Sequence, residues 1–128
     1  MEIKMKLLLD THILLWWLEC SPKLSLNLKN IISDPQNVIY VSTASIWEIS
    51  IKKSLGKLSV PDDLLEKVNE NRFQILNIEP VHAIETENLP YHHRDPFDRM
   101  LIAQALVEGI TLISNDTKFT LYDVPLFS

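Results

Sequence analysis

Four acidic residues of this chain stand where an α/β protein would bring carboxylates together. Two of them follow short apolar runs that are predicted strands, and two lie near the beginnings of predicted helices. Crowded carboxylates repel one another and raise each other's pKa, and a divalent cation removes that penalty. Oxygen-only ligands favour a hard ion, so the predicted cofactor is Mg²⁺, with Mn²⁺ as the alternative. The predicted site residues are Asp10, Glu48, Asp98 and Asp116.

Each acid also has a purely structural interpretation. Asp10 suits the N-cap of the helix that follows it. Glu48 can pair with Lys52 one turn later, which is worth ~0.3–0.5 kcal/mol. Asp98 lies near the positive end of a helix dipole, and Asp116 suits a turn. The metal-site hypothesis therefore depends on all four falling at the same end of one sheet, where sites of open α/β folds form.

The stretch HHRDPFDRMLIAQAL contains two acids three residues apart. Asp95 is predicted to be the N-cap of a helix and Pro96 its first residue. A cap needs only one acid, so Asp98 is available for another role. Arg99 is predicted either to face phosphate or to hold a carboxylate in place.

Other side chains with possible chemistry receive weaker predictions. His92 and His93 have no Cys or HExxH partner, which argues against a zinc site, and we interpret them as loop residues. Cys20 is interpreted as structural. Core packing is the first interpretation of the tryptophans and a partner-binding groove the second; these residues are Trp16, Trp17 and Trp47. Lysines 52, 53 and 57 form either a phosphate-facing rim or scattered solvated charges.

Periodicity and punctuation predict strands separated by helices, and hence a parallel sheet of four to five strands covered on both faces. The predicted strands cover residues 6–9, 38–41, 73–78, 111–114 and 125–127. The predicted helices cover residues 11–19, 24–32, 43–56, 62–71, 80–88 and 96–109.

Composition limits the possible function. The 128 residues predict one domain, 1–128, and a net charge of −5 argues against a generally basic nucleic-acid binder. Only two glycines occur, which leaves no glycine-rich phosphate loop. A single cysteine, the lack of a signal peptide and the lack of a long apolar span predict a cytoplasmic protein with no membrane segment.

Four stretches in this order resemble the PIN-domain ribonucleases, and most closely the VapC-type toxins of prokaryotic toxin–antitoxin pairs. They are LLLDTHILLWWL, SIWEISIKKSLGKL, HHRDPFDRMLIAQA and LISNDTKF. The second and third stretches are specific, and the resemblance covers nearly the whole chain. It implies a three-layer α/β/α fold with an acidic pocket that binds Mg²⁺ or Mn²⁺.

The resemblance also implies roles and partners. Its motif acids correspond to the four site residues above, of which Asp10, Asp98 and Asp116 are expected to hold the ion directly or through water, while Glu48 helps coordinate it or orients the attacking water. Family members cut RNA, usually form homodimers, and are inhibited by a cognate antitoxin that fills a groove. Small hydroxyl residues near the pocket correspond to Thr11 and Ser114.

Two other functions stay open at this point. A metal-dependent phosphatase would use Asp10 as its nucleophile, but the usual DxD pattern is missing because His12 stands at the second acid's position. A non-catalytic module with the same fold would act only by binding a partner.

Overall fold

The computed structural model describes residues 3–128, in which strands and helices alternate along the chain. The strands are β1 (Lys6–Leu9), β2 (Val38–Ser42), β3 (Gln74–Leu76), β4 (Thr111–Ile113) and β5 (Leu126–Phe127). The helices are α1 (Thr11–Leu18), α2 (Leu26–Ser33), α3 (Thr43–Ser54), α4 (Leu64–Glu70), α5 (Pro80–Glu85) and α6 (Pro96–Glu108). Two 3₁₀ helices cover Thr86–Asn88 and Thr117–Leu121.

The five strands form one parallel sheet in the order β3-β2-β1-β4-β5. Strand β1 is therefore central. Its register places Leu8 beside Tyr40 of β2 and Leu112 of β4. Because all strands run the same way, the residues that follow them collect at one edge of the sheet.

Helices cover both faces of the sheet, which gives three layers. Leu7 and Leu9 of β1 pack into one apolar cluster with residues of α1, α2 and α4. Leu8, which points the opposite way, packs into a second cluster with residues of α6. The predicted α/β/α architecture with a parallel sheet is confirmed. No helix within residues 3–128 has both the length and the apolar character needed to cross a bilayer.

The predicted elements exist, with differences at their ends. The third strand is limited to Gln74–Leu76, and the helix predicted over 80–88 becomes 3₁₀ after Glu85. The 3₁₀ helix Thr117–Leu121 was not predicted. Helix α6 ends as expected at Gly109, whose φ of 67° is the left-handed conformation that glycine adopts without strain.

Candidate metal centre at the carboxyl end of the sheet

Asp10 lies at the junction between the central strand β1 and helix α1, and it is buried. Its backbone N–H donates to the carbonyl of Ile113, the last residue of β4. One carboxylate oxygen caps α1 by accepting from the His12 amide at 3.0 Å, and the other accepts from the Ser114 hydroxyl. The capping interpretation is thus correct, but it accounts for only one of the two oxygens.

Burial raises the pKa of Asp10, although hydrogen bonds from Ser114 and His12 oppose the change. The negative charge of Asp116 adds to the increase in this pKa. Asp10 and Asp116 therefore lie close enough to feel one another's charge.

Asp116 is joined to the same edge through Ser114. The Ser114 hydroxyl accepts from the Asp116 amide at 3.0 Å while it donates to Asp10. One carboxylate oxygen of Asp116 caps the following 3₁₀ helix through the Lys118 amide. The other oxygen, Oδ2, lies 3.8 Å from Nε2 of His93.

Asp98 lies in the first turn of α6, where the cap is made by another acid. Asp95 accepts from the amides of Phe97 and Asp98, as predicted for the cap of this helix. The Asp98 carboxylate is free of capping, and its Oδ2 lies 2.6 Å from Nε2 of His93.

The pKa of Asp98 is raised to about 7, mainly by burial and then by the negative charges of Asp95 and Asp10. The hydrogen bond with His93 opposes this increase. A pKa this high means that the ionised form of the carboxylate is disfavoured in this environment. A bound cation would favour the ionised form, so the raised pKa is the electrostatic property expected of a metal-binding acid.

Glu48 lies in the second turn of α3 and is buried. Its Oε2 accepts from Lys52 Nζ at 2.8 Å, so the predicted i,i+4 pair is present. Its Oε1 is buried and has no hydrogen-bond partner among residues 3–128. The hydrogen bond that Lys52 donates to Glu48 raises the pKa of Lys52, and the charges of Asp95 and Asp98 contribute, which links this pair to the beginning of α6.

Arg99 differs from both of its predicted roles. Its guanidinium is buried, and it donates to backbone carbonyls rather than to phosphate or a carboxylate. The acceptors are the carbonyls of Thr86, Leu89, Pro90 and His93. Arg99 therefore ties the 3₁₀ helix Thr86–Asn88 and the loop that follows it to the beginning of α6.

His93 is the residue whose place in the site was not predicted. It is a loop residue, as expected, but it is buried and faces Asp98 and Asp116. The acids were predicted from their positions at the ends of strands and the beginnings of helices. A residue in an irregular loop has no such position, so His93 could not be predicted in this way. Its neighbour His92 is exposed and stacks edge-on against Tyr122.

The donor set fits a divalent cation. Ligand atoms of His93, Asp98 and Asp116 all lie within 4.8 Å of one another. Asp10 adjoins this group through Ser114 and through its charge, and Glu48 has a buried oxygen with no hydrogen-bond partner among the described residues. Two of the four predicted acids, Asp98 and Asp116, thus lie in the compact group. Asp10 is joined to it by Ser114, and Glu48 is linked to it only through Lys52.

The tryptophans only partly follow the core-packing interpretation. Trp47 is 60% exposed and contacts Phe97 edge-on, so it is a surface residue. Trp16 and Trp17 are half-buried and line an apolar groove of about 540 Å³ between α1, α2 and α4. Trp17 donates to Asn71 at the far side of this groove.

Comparisons with known proteins agree with this architecture. The family model of the PIN domain matches residues 7–125. No curated protein sequence matches the chain. Among solved structures, VapBC2 from Rickettsia felis bound to a promoter DNA fragment is similar, with 18% identity, a TM-score of 0.72, and coverage of 96% of this chain and 98% of that one.

Two further structures resemble the chain over most of its length. DNA-bound VapBC from Salmonella typhimurium is 17% identical, with a TM-score of 0.71 and coverage of 96% of this chain and 97% of that one. A toxin–antitoxin complex from Klebsiella pneumoniae is 21% identical, with a TM-score of 0.63 and coverage of 94% and 95%. At these identities the likeness concerns the fold.

Proposed function

This chain belongs to the PIN domain family, and from that premise we propose that it is a metal-dependent endoribonuclease, the toxin of a toxin–antitoxin pair. Residues 1–128 form a single PIN domain in this proposal, which acts in the cytoplasm. The observation that carries the proposal is the group of His93, Asp98 and Asp116 at the end of the sheet, whose ligand atoms all lie within 4.8 Å of one another. Burial and neighbouring acids raise the pKa of Asp98 in this group to about 7, which agrees with a cation site.

The cation would be Mg²⁺ or Mn²⁺, held by Asp10, Asp98 and Asp116 directly or through water. When bound, it lowers the pKa of a water molecule and stabilises charge on the attacked phosphate. Ser114 keeps one oxygen of Asp10 oriented, and Asp95 leaves Asp98 free by taking the cap.

Glu48 is assigned the role of binding and orienting the attacking water. Its Oε1 has no partner among the described residues, so it can accept a hydrogen bond from that water, while Lys52 fixes Oε2. The water oxygen forms a bond to phosphorus as one of its protons passes to Oε1 of Glu48. The in-line bond between phosphorus and the 3′-oxygen breaks, and this oxygen takes a proton from solvent. The products are a 5′-phosphate and a 3′-hydroxyl.

A cleavage assay with a fluorogenic RNA tests the proposal. The wild-type protein, freed of any copurified antitoxin, should cut RNA with Mn²⁺ or Mg²⁺ and stop in EDTA. Asp98→Asn should reduce the rate by at least about a hundredfold, because the ion loses an anionic ligand. Glu66→Gln on α4 is the matched control. Equal rates for the wild type and Asp98→Asn would leave a non-catalytic module as the better function.

The cognate antitoxin is the second part of the proposal, and the groove of Trp16 and Trp17 is its docking site. One of the similar structures is itself a toxin–antitoxin complex. The groove has apolar walls with Lys29, Lys67 and Glu70 at its rim, which suits an amphipathic segment.

A product of the adjacent gene, coexpressed with this chain, should copurify with it. Trp17→Ala should weaken that complex, since it removes an aromatic anchor. Trp47→Ala, a change of the same type outside the groove, should not. Unchanged binding of Trp17→Ala would place the docking surface elsewhere.

The last part of the proposal is that two copies of this chain form a homodimer. Val81 and Ile84 on α5 are more than half exposed, and Leu106 on the adjacent α6 is exposed as well. Sedimentation analysis should show a dimer, and Ile84→Asp should convert it to a monomer.

A further inference from the structure

Three possible ligand atoms, one imidazole nitrogen and two carboxylate oxygens, face one another at the candidate metal centre. Nε2 of His93 lies 2.6 Å from Oδ2 of Asp98 and 3.8 Å from Oδ2 of Asp116. The three groups are within 4.8 Å of one another. These separations are comparable to those between neighbouring ligands of one small cation, whose metal–ligand bonds are about 2.0–2.2 Å long.

His93 is fixed in this position from behind. Its amide donates to the Tyr122 hydroxyl at 2.9 Å, and its carbonyl accepts from Arg99 at 3.2 Å. Its ring packs edge-on against the buried ring of Phe119. The imidazole is therefore held against the two carboxylates by a buried network rather than being a mobile loop side chain.

We propose that His93 is a ligand of the cation, which makes the centre a mixed nitrogen–oxygen site rather than an all-carboxylate one. This inference rests on the proposed metal-dependent function. In the structure, Nε2 is hydrogen-bonded to Oδ2 of Asp98. Ligation uses the Nε2 lone pair, so the imidazole binds as the neutral tautomer with its proton on Nδ1.

A nitrogen ligand has a consequence for metal selectivity. Mg²⁺ is bound in proteins mainly through carboxylates and water, whereas imidazole binds transition ions more readily. The site should therefore prefer Mn²⁺ to Mg²⁺, and His93 should be the residue responsible for much of that preference.

Pulsed electron paramagnetic resonance of the intact protein loaded with Mn²⁺ alone tests the proposal directly. An imidazole nitrogen bound to Mn²⁺ gives a ¹⁴N hyperfine coupling in the electron spin-echo modulation. The wild type should show it, and His93→Gln should lose it. His12→Gln and His92→Gln are matched controls, because His12 follows Asp10 and His92 adjoins His93 in the chain. Both histidines are exposed and lie outside the group of three ligand atoms, so these variants should keep the ¹⁴N coupling.

Calorimetric titration with Mn²⁺ and Mg²⁺ separates a ligand from a positioning residue. Glutamine can still donate an N–H to Asp98, so a residue that only positions this carboxylate would leave the Mn²⁺ affinity nearly unchanged. For a ligand, His93→Gln should lower the Mn²⁺ affinity by about tenfold or more, with a smaller loss for Mg²⁺. Circular dichroism would establish that each variant is folded.

The outcomes distinguish this inference from the proposed function. If the folded wild type takes up neither Mn²⁺ nor Mg²⁺, the metal-dependent function itself is wrong. If it binds Mn²⁺ without ¹⁴N coupling, only the assignment of His93 is overturned. Coupling that persists in His93→Gln and disappears in His12→Gln would likewise overturn the assignment.

Discussion

Ser114 and Asp10, which are 104 positions apart in the sequence, form a buried hydrogen bond between the ends of two neighbouring strands. The hydroxyl donates to Asp10 and accepts from the amide of Asp116. A serine with no charge of its own thus sets the orientation of one acid and the path of the chain toward another.

Ser114→Ala should weaken the centre without removing an acid. The change leaves one oxygen of the buried Asp10 without a donor, so its pKa rises further and its affinity for a cation falls. Loss of a group that orients a metal ligand typically costs about 10–100-fold in metal affinity or activity. Titration of Mn²⁺ against RNA cleavage would measure it. Ser114→Thr keeps the hydroxyl and should behave nearly as the wild type; an equal loss in both variants would show that packing, not the hydrogen bond, is responsible.

Asp98→Asn should make the metal-free protein more stable at pH 8 but not at pH 4. The folded-state pKa of Asp98 is about 7, above its ordinary value of 3.8, so the folded protein holds this proton more tightly than the unfolded chain. The resulting stability is complete below about pH 4 and is lost as the pH rises to about 7 and beyond. Asparagine imitates the protonated acid and does not titrate. Because Asp98 is partly exposed to solvent and is hydrogen-bonded to His93, the gain at pH 8 is on the order of 1–2 kcal/mol, a rise in Tm of roughly 3–8 °C.

Thermal denaturation in EDTA at both pH values measures this effect. Added Mn²⁺ should reverse the order at pH 8, because binding stabilises only a protein that holds the ion. A wild type as stable as Asp98→Asn at pH 8 in EDTA would contradict the raised pKa.

Arg99→Met should destabilise the fold by about 2–4 kcal/mol, since several buried carbonyls lose a charged donor at once. The affected acceptors lie in the loop from Thr86 to His93, so His93 should also lose its fixed position. Urea denaturation of the metal-free protein would measure the loss. Arg94→Met, at an exposed arginine in the same loop, should change stability by less than about 0.5 kcal/mol. A small effect of Arg99→Met would mean that water replaces the guanidinium.

Local sequence features predicted those parts of the molecule that local physics determines. The cap at Asp95, the helix end at Gly109 and the Glu48–Lys52 pair all follow from interactions within a few residues, and the structure contains each of them. The parallel sheet followed from alternation of strands and helices. The common direction of the strands then predicted that acids following β1 and β4 would lie near one another, and the structure joins Asp10 and Asp116 through Ser114.

Long-range contacts account for what the sequence did not predict. The strand order depends on pairing between segments that are far apart in the chain, which periodicity does not encode. Arg99 was predicted to bind phosphate or a carboxylate. Its actual acceptors are backbone carbonyls of the segment before α6, whose conformation could not be predicted from the sequence. His93 was assigned to that loop, and only the folding of the loop over α6, held by Tyr122 and Arg99, brings its ring to Asp98.

Glu48→Gln should abolish most RNA cleavage while it leaves the fold intact. Glutamine preserves the shape and can still accept from Lys52 through its amide oxygen, but its other atom becomes an N–H₂ that cannot accept a hydrogen bond from the attacking water. A loss of about 10²–10⁴-fold is expected of a group that acts on the reacting proton. Initial rates at saturating Mn²⁺ would measure it, with thermal denaturation as the check on folding. Lys52→Met removes only the partner of Glu48, so its rate should fall much less. If both variants instead showed the same small loss, Glu48 would be the anionic half of a surface-facing ion pair and the water would need another acceptor.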